Sequence, residues 1–275
     1  MTDPSNRESI RFLKPASING LEVLAVENCS RLVKAFHENY LLSFCLLPDT
    51  RALAQIKYRG KTHDVPGVCS MLVEPGETTA VLAQNMDIHY VALFIDPKEV
   101  ETIGTELLGN NRPSFSAFWR NDSDLQGKVQ LLYRNLNSAS THLEQQSSFQ
   151  EVLITAFKRY GESAPKRLPD VGKGALNKVR DRLMDGVEDN VTLDDLARIA
   201  GLSKWHLIHA FKQEFNVPPH TFQNLVRIAK LKRLLALGKR QGEIDIGLNS
   251  QSQTIRRFRE TWGLTPGAYQ KLIRC

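Results

Sequence analysis

The chain lacks any apolar run approaching the ~20 residues needed to cross a bilayer, and its opening MTDPSNRESIRFLKP carries no apolar core of a secretory signal. A protein without membrane spans or a membrane partner, placed in the cytoplasm, is the expectation. Cysteine is scarce: Cys29, Cys45, Cys69 and Cys275, with no CxxC pair among them. A structural zinc needs clustered ligands, and the first three cysteines fall in strand-like apolar runs. Reduced core thiols, no metal and no cofactor are therefore expected. Low-complexity sequence is missing too, and 41% apolar with 24% charged residues is the composition of an ordinary globular protein. At 275 residues, one large domain or two ordinary ones fit.

Charge is present but uneven. Residues 1–165 hold 16 basic and 19 acidic side chains (−3), whereas residues 166–275 hold 20 and 11 (+9). A basic module joined to a near-neutral one is suggested, and nucleic acid is the commonest partner of a basic module.

From Leu21 to Ile95 the pattern is strand-like. The runs LEVLAV (21–26), LLSFCLL (41–47), CSMLVE (69–74) and HYVALFI (89–95) are separated by turn signals at Pro48-Asp49, Arg59-Gly60, Pro66-Gly67 and Pro75-Gly76. Such spacing argues for a sandwich or barrel. In ALAQIKYRG, alternation puts Gln55, Lys57 and Arg59 on one face and Ile56 and Tyr58 on the other, without saying which lines an interior. Beyond Asp96, a cap ahead of Pro97, the period becomes helical. Leu125, Val129, Leu132 and Leu136 form one stripe; Phe149, Val152, Leu153, Ala156, Phe157 and Tyr160 form another. These faces serve either dimerisation or packing within the chain. The segment 161–170, with two prolines, breaks the helix. The expected domains are 1–161, a linker at 162–172 and an all-helical 173–275.

The densest signal is VTLDDLARIAGLSKWHLIHAFKQEFNVPPHTF (191–222). Thr192 can cap a helix whose first turn holds Asp194 and Asp195; Leu193, Leu196, Ala197 and Ala200 face a core; Gly201 ends it. Ser203 then caps a second helix with Leu207, Phe211 and Phe215 inward and Trp205, Ile208, His209 and Lys212 on another face. Helix, glycine turn, helix is a DNA-reading arrangement. A partial copy follows: GLNSQSQTIRRFRETWGLTPGAY (247–269) aligns Phe258 with Phe211, Pro266 with Pro219 and Tyr269 with Phe222, as an internal repeat would. Between them, 221–238 reads as one connecting helix with Leu225, Ile228, Ala229, Leu231, Leu235 and Ala236 inward.

Three stretches, LDDLARIAGLSKWHLIHAFKQEF, RLLALG and SQSQTIRRFRETWGLTPGAY, resemble the DNA-binding domain of the AraC/XylS family of bacterial regulators. The strands at 21–95, with Phe36-His37, the Val65-Pro66-Gly67 turn and Glu74-Pro75-Gly76-Glu77, look like the family's cupin-type effector domain. The resemblance implies an α+β protein: an N-terminal cupin-like jelly-roll β-barrel with dimerising helices, and a C-terminal double helix-turn-helix domain. It implies a transcription regulator, an activator, with double-stranded DNA, a small-molecule effector, RNA polymerase and a second copy as partners.

In the family, base-facing positions of the first unit fall on Trp205, Ile208 and His209, and of the second on Gln251, Ser252 and Arg256. Arg pairs bidentately with guanine and Gln with adenine. Lys204, Lys212, Arg257 and Arg259 are read as phosphate contacts that set position. His37 and Tyr40 are the candidates for effector contact. One departure from the family lies in KRQGEIDI (239–246), shorter than usual and holding Gly242, so the supporting helix of the second unit is expected to be short or distorted. Two other readings stay in view. A regulator governed by a protein partner is one. A cupin enzyme fused to a DNA-binding tail is the other, and His37, His63 and His89 are too isolated for its two-histidine-carboxylate site.

Overall fold

The computed structural model describes residues 8–45, 51–162, 171–189, 191–248 and 250–273. Most of the expected linker (163–170) and Cys275 lie outside the described residues. The chain is α+β, a β-rich first part followed by helices.

Two antiparallel sheets form the first part. One has six strands in the order β1 (Ser9–Leu13), β2 (Leu21–Cys29), β9 (Ile88–Ile95), β4 (Tyr40–Cys45), β7 (Ser70–Val73) and β11 (Trp119–Arg120). The other runs β3 (Lys34–Phe36), β8 (Thr78–Gln84), β5 (Leu53–Tyr58), β6 (Lys61–Pro66). Among the described residues the ladders form two open sheets stacked as a sandwich, without the closure that the barrel expected from sequence would need. Strand β4 is buried on both faces except at Cys45, which is why its sequence is a continuous apolar run instead of an alternation. Strand β5 does alternate: Ala54, Ile56 and Tyr58 are buried between the sheets while Leu53 and Gln55 face solvent.

The outer face of the six-stranded sheet is covered by α1 (Pro97–Leu108), α2 (Ser123–Leu136) and α3 (His142–Tyr160). Asp96 caps α1 by accepting from the Lys98 N–H, with Pro97 next, as its sequence promised. Thr141 and Glu144 cap α3 reciprocally. The apolar stripes of both later helices are spent inside the chain: Leu125, Val129, Leu132, Phe149, Val152, Leu153, Ala156 and Phe157 pack on Leu42, Leu72 and Leu93. Each large side chain buried this way stabilises by about 1.5–3 kcal/mol relative to exposure. A short ladder, β10 (Ser114–Phe115) with β12 (Gly161–Glu162), ties the end of α3 to the strand domain.

The second part comprises α4 (Val171–Asp185), α5 (Leu193–Ala200), α6 (Lys204–Phe215), α7 (Pro219–Ala236), a 3₁₀ turn at Gln241–Glu243, α8 (Gln251–Trp262) and α9 (Pro266–Leu272). The internal repeat is visible in three dimensions. Phe211 and Phe258 are fully buried, Pro219 and Pro266 each open a helix, and Phe222 and Tyr269 are fully buried behind them.

The two parts share apolar interior. Phe36 of β3 meets Phe222 edge-on at 5.5 Å, and Trp262 packs on Phe12 and Phe94. The turn after β5 and the start of β8 seat on the end of α6: the Gly60 N–H donates to Asn216 Oδ1 at 2.9 Å, and Thr78 Oγ1 donates to the Phe215 carbonyl at 2.7 Å.

Candidate nucleic-acid interface and effector cavity

The first unit is built by local capping. Thr192 Oγ1 accepts from the Asp195 N–H at 3.2 Å, and Asp195 returns the bond to the Thr192 N–H at 3.3 Å. The Thr192 hydroxyl also donates to Asp195 Oδ2 at 2.6 Å, and that bond, then the one from the Thr192 N–H, holds the Asp195 carboxyl below its ordinary value. Gly201 takes the left-handed conformation (φ 63°) that closes α5 and turns the chain. Ser203 caps α6 through the His206 N–H. Leu207, Phe211 and Phe215 anchor the helix inward, leaving its opposite face to solvent.

That face carries the sequence candidates. Trp205 is 63% exposed, unusual for a tryptophan unless it awaits a partner. Its ring lies 4.1 Å from that of His209, and the His209 ring is fixed by a 2.8 Å hydrogen bond between Nδ1 and the Trp205 carbonyl. The pair is thus ordered before any partner arrives. Ile208 is half-buried, and Lys204 and Lys212 are exposed. Lys204 bridges to Asp194 at 2.7 Å, spanning the turn between the two helices.

In the second unit Ser250 caps α8 by accepting from the Gln253 N–H at 3.1 Å. Thr254, Phe258 and Trp262 point inward. Gln251, Ser252, Arg256 and Arg259 are exposed, with Arg256 loosely held by Glu260 at 3.7 Å. Arg257 differs. It is half-buried beside Thr221, Asn224 and Leu225 of α7, so its guanidinium is set back from the exposed row. The supporting element is only the 3₁₀ turn Gln241–Glu243, in line with the expectation from Gly242.

Two cations on α7 are not singled out by the sequence. Arg227 is buried and donates to the carbonyls of Val187 (2.7 Å) and Asp189 (3.1 Å). Lys232 sits among four rings, 4.7 Å from the centroid of Trp262, 4.8 Å from Phe94, 5.5 Å from Tyr269 and 5.7 Å from Phe12, and pairs with Glu22 of β2. Burial pushes the Glu22 carboxyl up, but the Lys232 ammonium more than offsets it, so Glu22 lies below its ordinary value. The only hint in the sequence was a lysine within an otherwise apolar face.

Between the sheets lies a cavity of about 130 Å³ with a largely apolar wall that includes Leu41, Ala54, Ile56, Val65 and Ala92. Of the two effector candidates, His37 lines it and Tyr40 does not. Tyr40 projects from the other face of β4, between Phe115 and Phe157, and donates to the Pro113 carbonyl at 2.8 Å. His37 Nε2 is 2.9 Å from Thr79 Oγ1. Desolvation, then the positive Lys232, lower its pKa to about 4, so the ring is neutral at physiological pH. Cys29, Cys45 and Cys69 also line the wall. Burial raises Cys29 and Cys45 to about 11 and Cys69 to about 12, which keeps them as unreactive thiols. Trp262, the last residue of α8, completes part of the wall.

Residues 196–272 match the family described as helix-turn-helix domain. The chain is 26% identical over 168 residues to the uncharacterized HTH-type transcriptional regulator YbfI of Bacillus subtilis (strain 168), covering 60% of this chain and 61% of that one. It is 25% identical over 99 residues to the HTH-type transcriptional regulator MtrA of Neisseria gonorrhoeae, covering 35% and 33%. The chain thus spans less than two thirds of the curated relatives it matches. Among solved structures, ToxT from Vibrio cholerae superposes with TM-score 0.50 at 12% identity over 97% of this chain and 98% of that one. ToxT from Vibrio cholerae O395 does so with TM-score 0.52 at 13% identity over 93% and 99%. The likeness extends through both parts of the fold.

Proposed function

We propose that this chain, which belongs to the AraC/XylS family of bacterial regulators, is a sequence-specific DNA-binding transcription regulator that responds to a small molecule. One observation carries the reading. In each of two repeated units the helix after the turn buries its apolar side and leaves its first turns bare, with Trp205 and His209 in one and Gln251, Ser252 and Arg256 in the other. A helix so presented fits a major groove, where these side chains meet base edges. Lys204, Lys212 and Arg259 then lie near phosphates. Arg257, being set back, serves α8's seating on α7 more than DNA.

The strand domain supports a cupin-like jelly roll: β2-β9-β4-β7 faces β3-β8-β5-β6, the order of two interlocked Greek keys. Its internal cavity supports effector binding, and His37 is the effector candidate retained. A second copy is the further partner proposed, seated on the outer face of α3, where Leu143 (72% exposed) and Ile154 (43% exposed) lie about three turns apart. RNA polymerase is the partner expected of a DNA-bound regulator. No helix of the described residues is long and apolar enough to cross a membrane, and the cytoplasm is the compartment proposed.

The test is a footprint of the purified chain on the DNA upstream of its own gene, with salt titration. A discrete protected site that survives competitor DNA, with affinity falling steeply as salt rises, is the expected result. Binding that never discriminates the site from competitor would defeat the reading.

A further inference from the structure

We infer that the cavity takes a small neutral ring compound bearing a single hydroxyl-like group, and that this group hydrogen-bonds Trp262, so that the ligand touches the second DNA-reading helix itself. The inference rests on the effector reading above and gives its ligand a chemical class.

Six buried side-chain polar atoms among the described residues have no hydrogen-bond partner, and three belong to side chains that line this one cavity: His37 Nδ1, Gln84 Oε1 and Trp262 Nε1. Buried polar groups are normally satisfied, so such a concentration in one wall calls for a ligand. The indole N–H can only donate and the Gln84 oxygen can only accept. A hydroxyl does both. His37 is already engaged through Nε2 with Thr79, leaving Nδ1 for the same group or its neighbour.

Charge is what the wall does not offer. Among the described residues no Asp or Glu lines it. Its one guanidinium, Arg31, is held by Glu8 at 2.8 Å and donates to the carbonyls of Glu260 and Thr261 at 3.2 and 3.3 Å. The nearby Lys232 is paired with Glu22, and the His37 ring is neutral. An anion or a cation entering the cavity therefore sheds its water without gaining a free counter-charge. Size narrows the class further: about 130 Å³ is on the order of the apolar cavity that accommodates benzene.

Trp262 gives the ligand a route to DNA. It ends α8, whose first turn holds Gln251 and Ser252. It also packs on Phe12 and Phe94 of the strand domain. A ligand bonded to its indole alters the seating of α8 at the seam.

The experiment compares toluene, benzyl alcohol and benzoate by titration calorimetry on the full chain, with DNA affinity measured by anisotropy at saturating ligand. Benzyl alcohol is expected to bind at least tenfold more tightly than toluene, with benzoate weakest. The Trp262→Phe variant should bring benzyl alcohol to the toluene level, and so should Gln84→Leu, which lies away from the seam should Trp262→Phe fail to fold. The inference is overturned by benzoate binding best, by toluene matching the alcohol, by none of the three binding, or by a preference that survives both variants. If the preference holds while DNA affinity stays unchanged, the ligand assignment stands and effector regulation falls.

Discussion

Replacing His37 should flatten the pH dependence of stability. In the fold its ring titrates near 4; in the unfolded chain it titrates near its ordinary value of about 6.5. The folded value is the lower one, so as pH falls the unfolded state takes up the proton first. The contribution of neutral His37 is complete above about 6.5 and is lost as pH falls toward 4. At about 1.36 kcal/mol per pH unit between the two titrations, the full loss is about 3 kcal/mol, and about 2 kcal/mol of it falls between pH 7 and pH 5. Urea unfolding of the wild type and of His37→Gln at intervals across that range measures the difference, since glutamine can keep a bond to Thr79 without titrating. Carboxylates such as Glu22 act equally in both proteins and cancel. The wild type should lose about 2 kcal/mol more than the variant. Parallel curves would refute the idea that the cavity holds a neutral imidazole, and with it part of the case for an uncharged ligand.

Other outcomes follow from the same geometry. Trp205→Ala and Arg256→Ala should each weaken specific DNA binding by about 1–3 kcal/mol and relax discrimination at a different half of the site, as read by anisotropy on single-base variants; unaltered preference in both would remove these residues from base readout. Lys212→Ala should lower affinity about equally on all sequences and reduce the salt slope by about one. Lys232→Ala should destabilise by about 3–5 kcal/mol because it strands the Glu22 carboxylate, whereas Lys232→Met with Glu22→Gln should cost distinctly less, a contrast that chemical denaturation resolves. Gly263→Ala should loosen the seam, since φ is +79° there and an added Cβ would sit 2.1 Å from Ile10 Cδ1; faster limited proteolysis between the two parts is the readout, and unchanged digestion would contradict the close approach.

Elements with strong local chemistry were readable in advance. Asp96-Pro97 and Thr192 with its acids mark helix starts because capping is satisfied within a few residues. Strands β4 and β9 were legible as apolar runs. Strand β3 has only three residues, Lys34–Phe36, and β8 mixes Thr and Ala with an exposed Leu82, so neither shows a period. That Tyr40 turns away from the cavity is not legible, because the parity of a strand buried on both faces is invisible in its sequence; one residue's difference sends a side chain to the opposite face. The exposed rows on α6 and α8 followed from their buried complements. Lys232 and Arg227 did not, because what shields them arrives from the strand domain or from the chain before α5, far off in sequence. Barrel closure is not legible for a similar reason: whether the outer ladders of two sheets join depends on long-range pairing, which alternation cannot report.

The ammonium of Lys232 occupies the place where a purely oily joint would put a leucine. An oily joint, once parted, exposes hydrocarbon that water rejects. Here separation returns Lys232 and Glu22 to hydration that both favour, so parting is opposed less than the enclosed area alone would dictate.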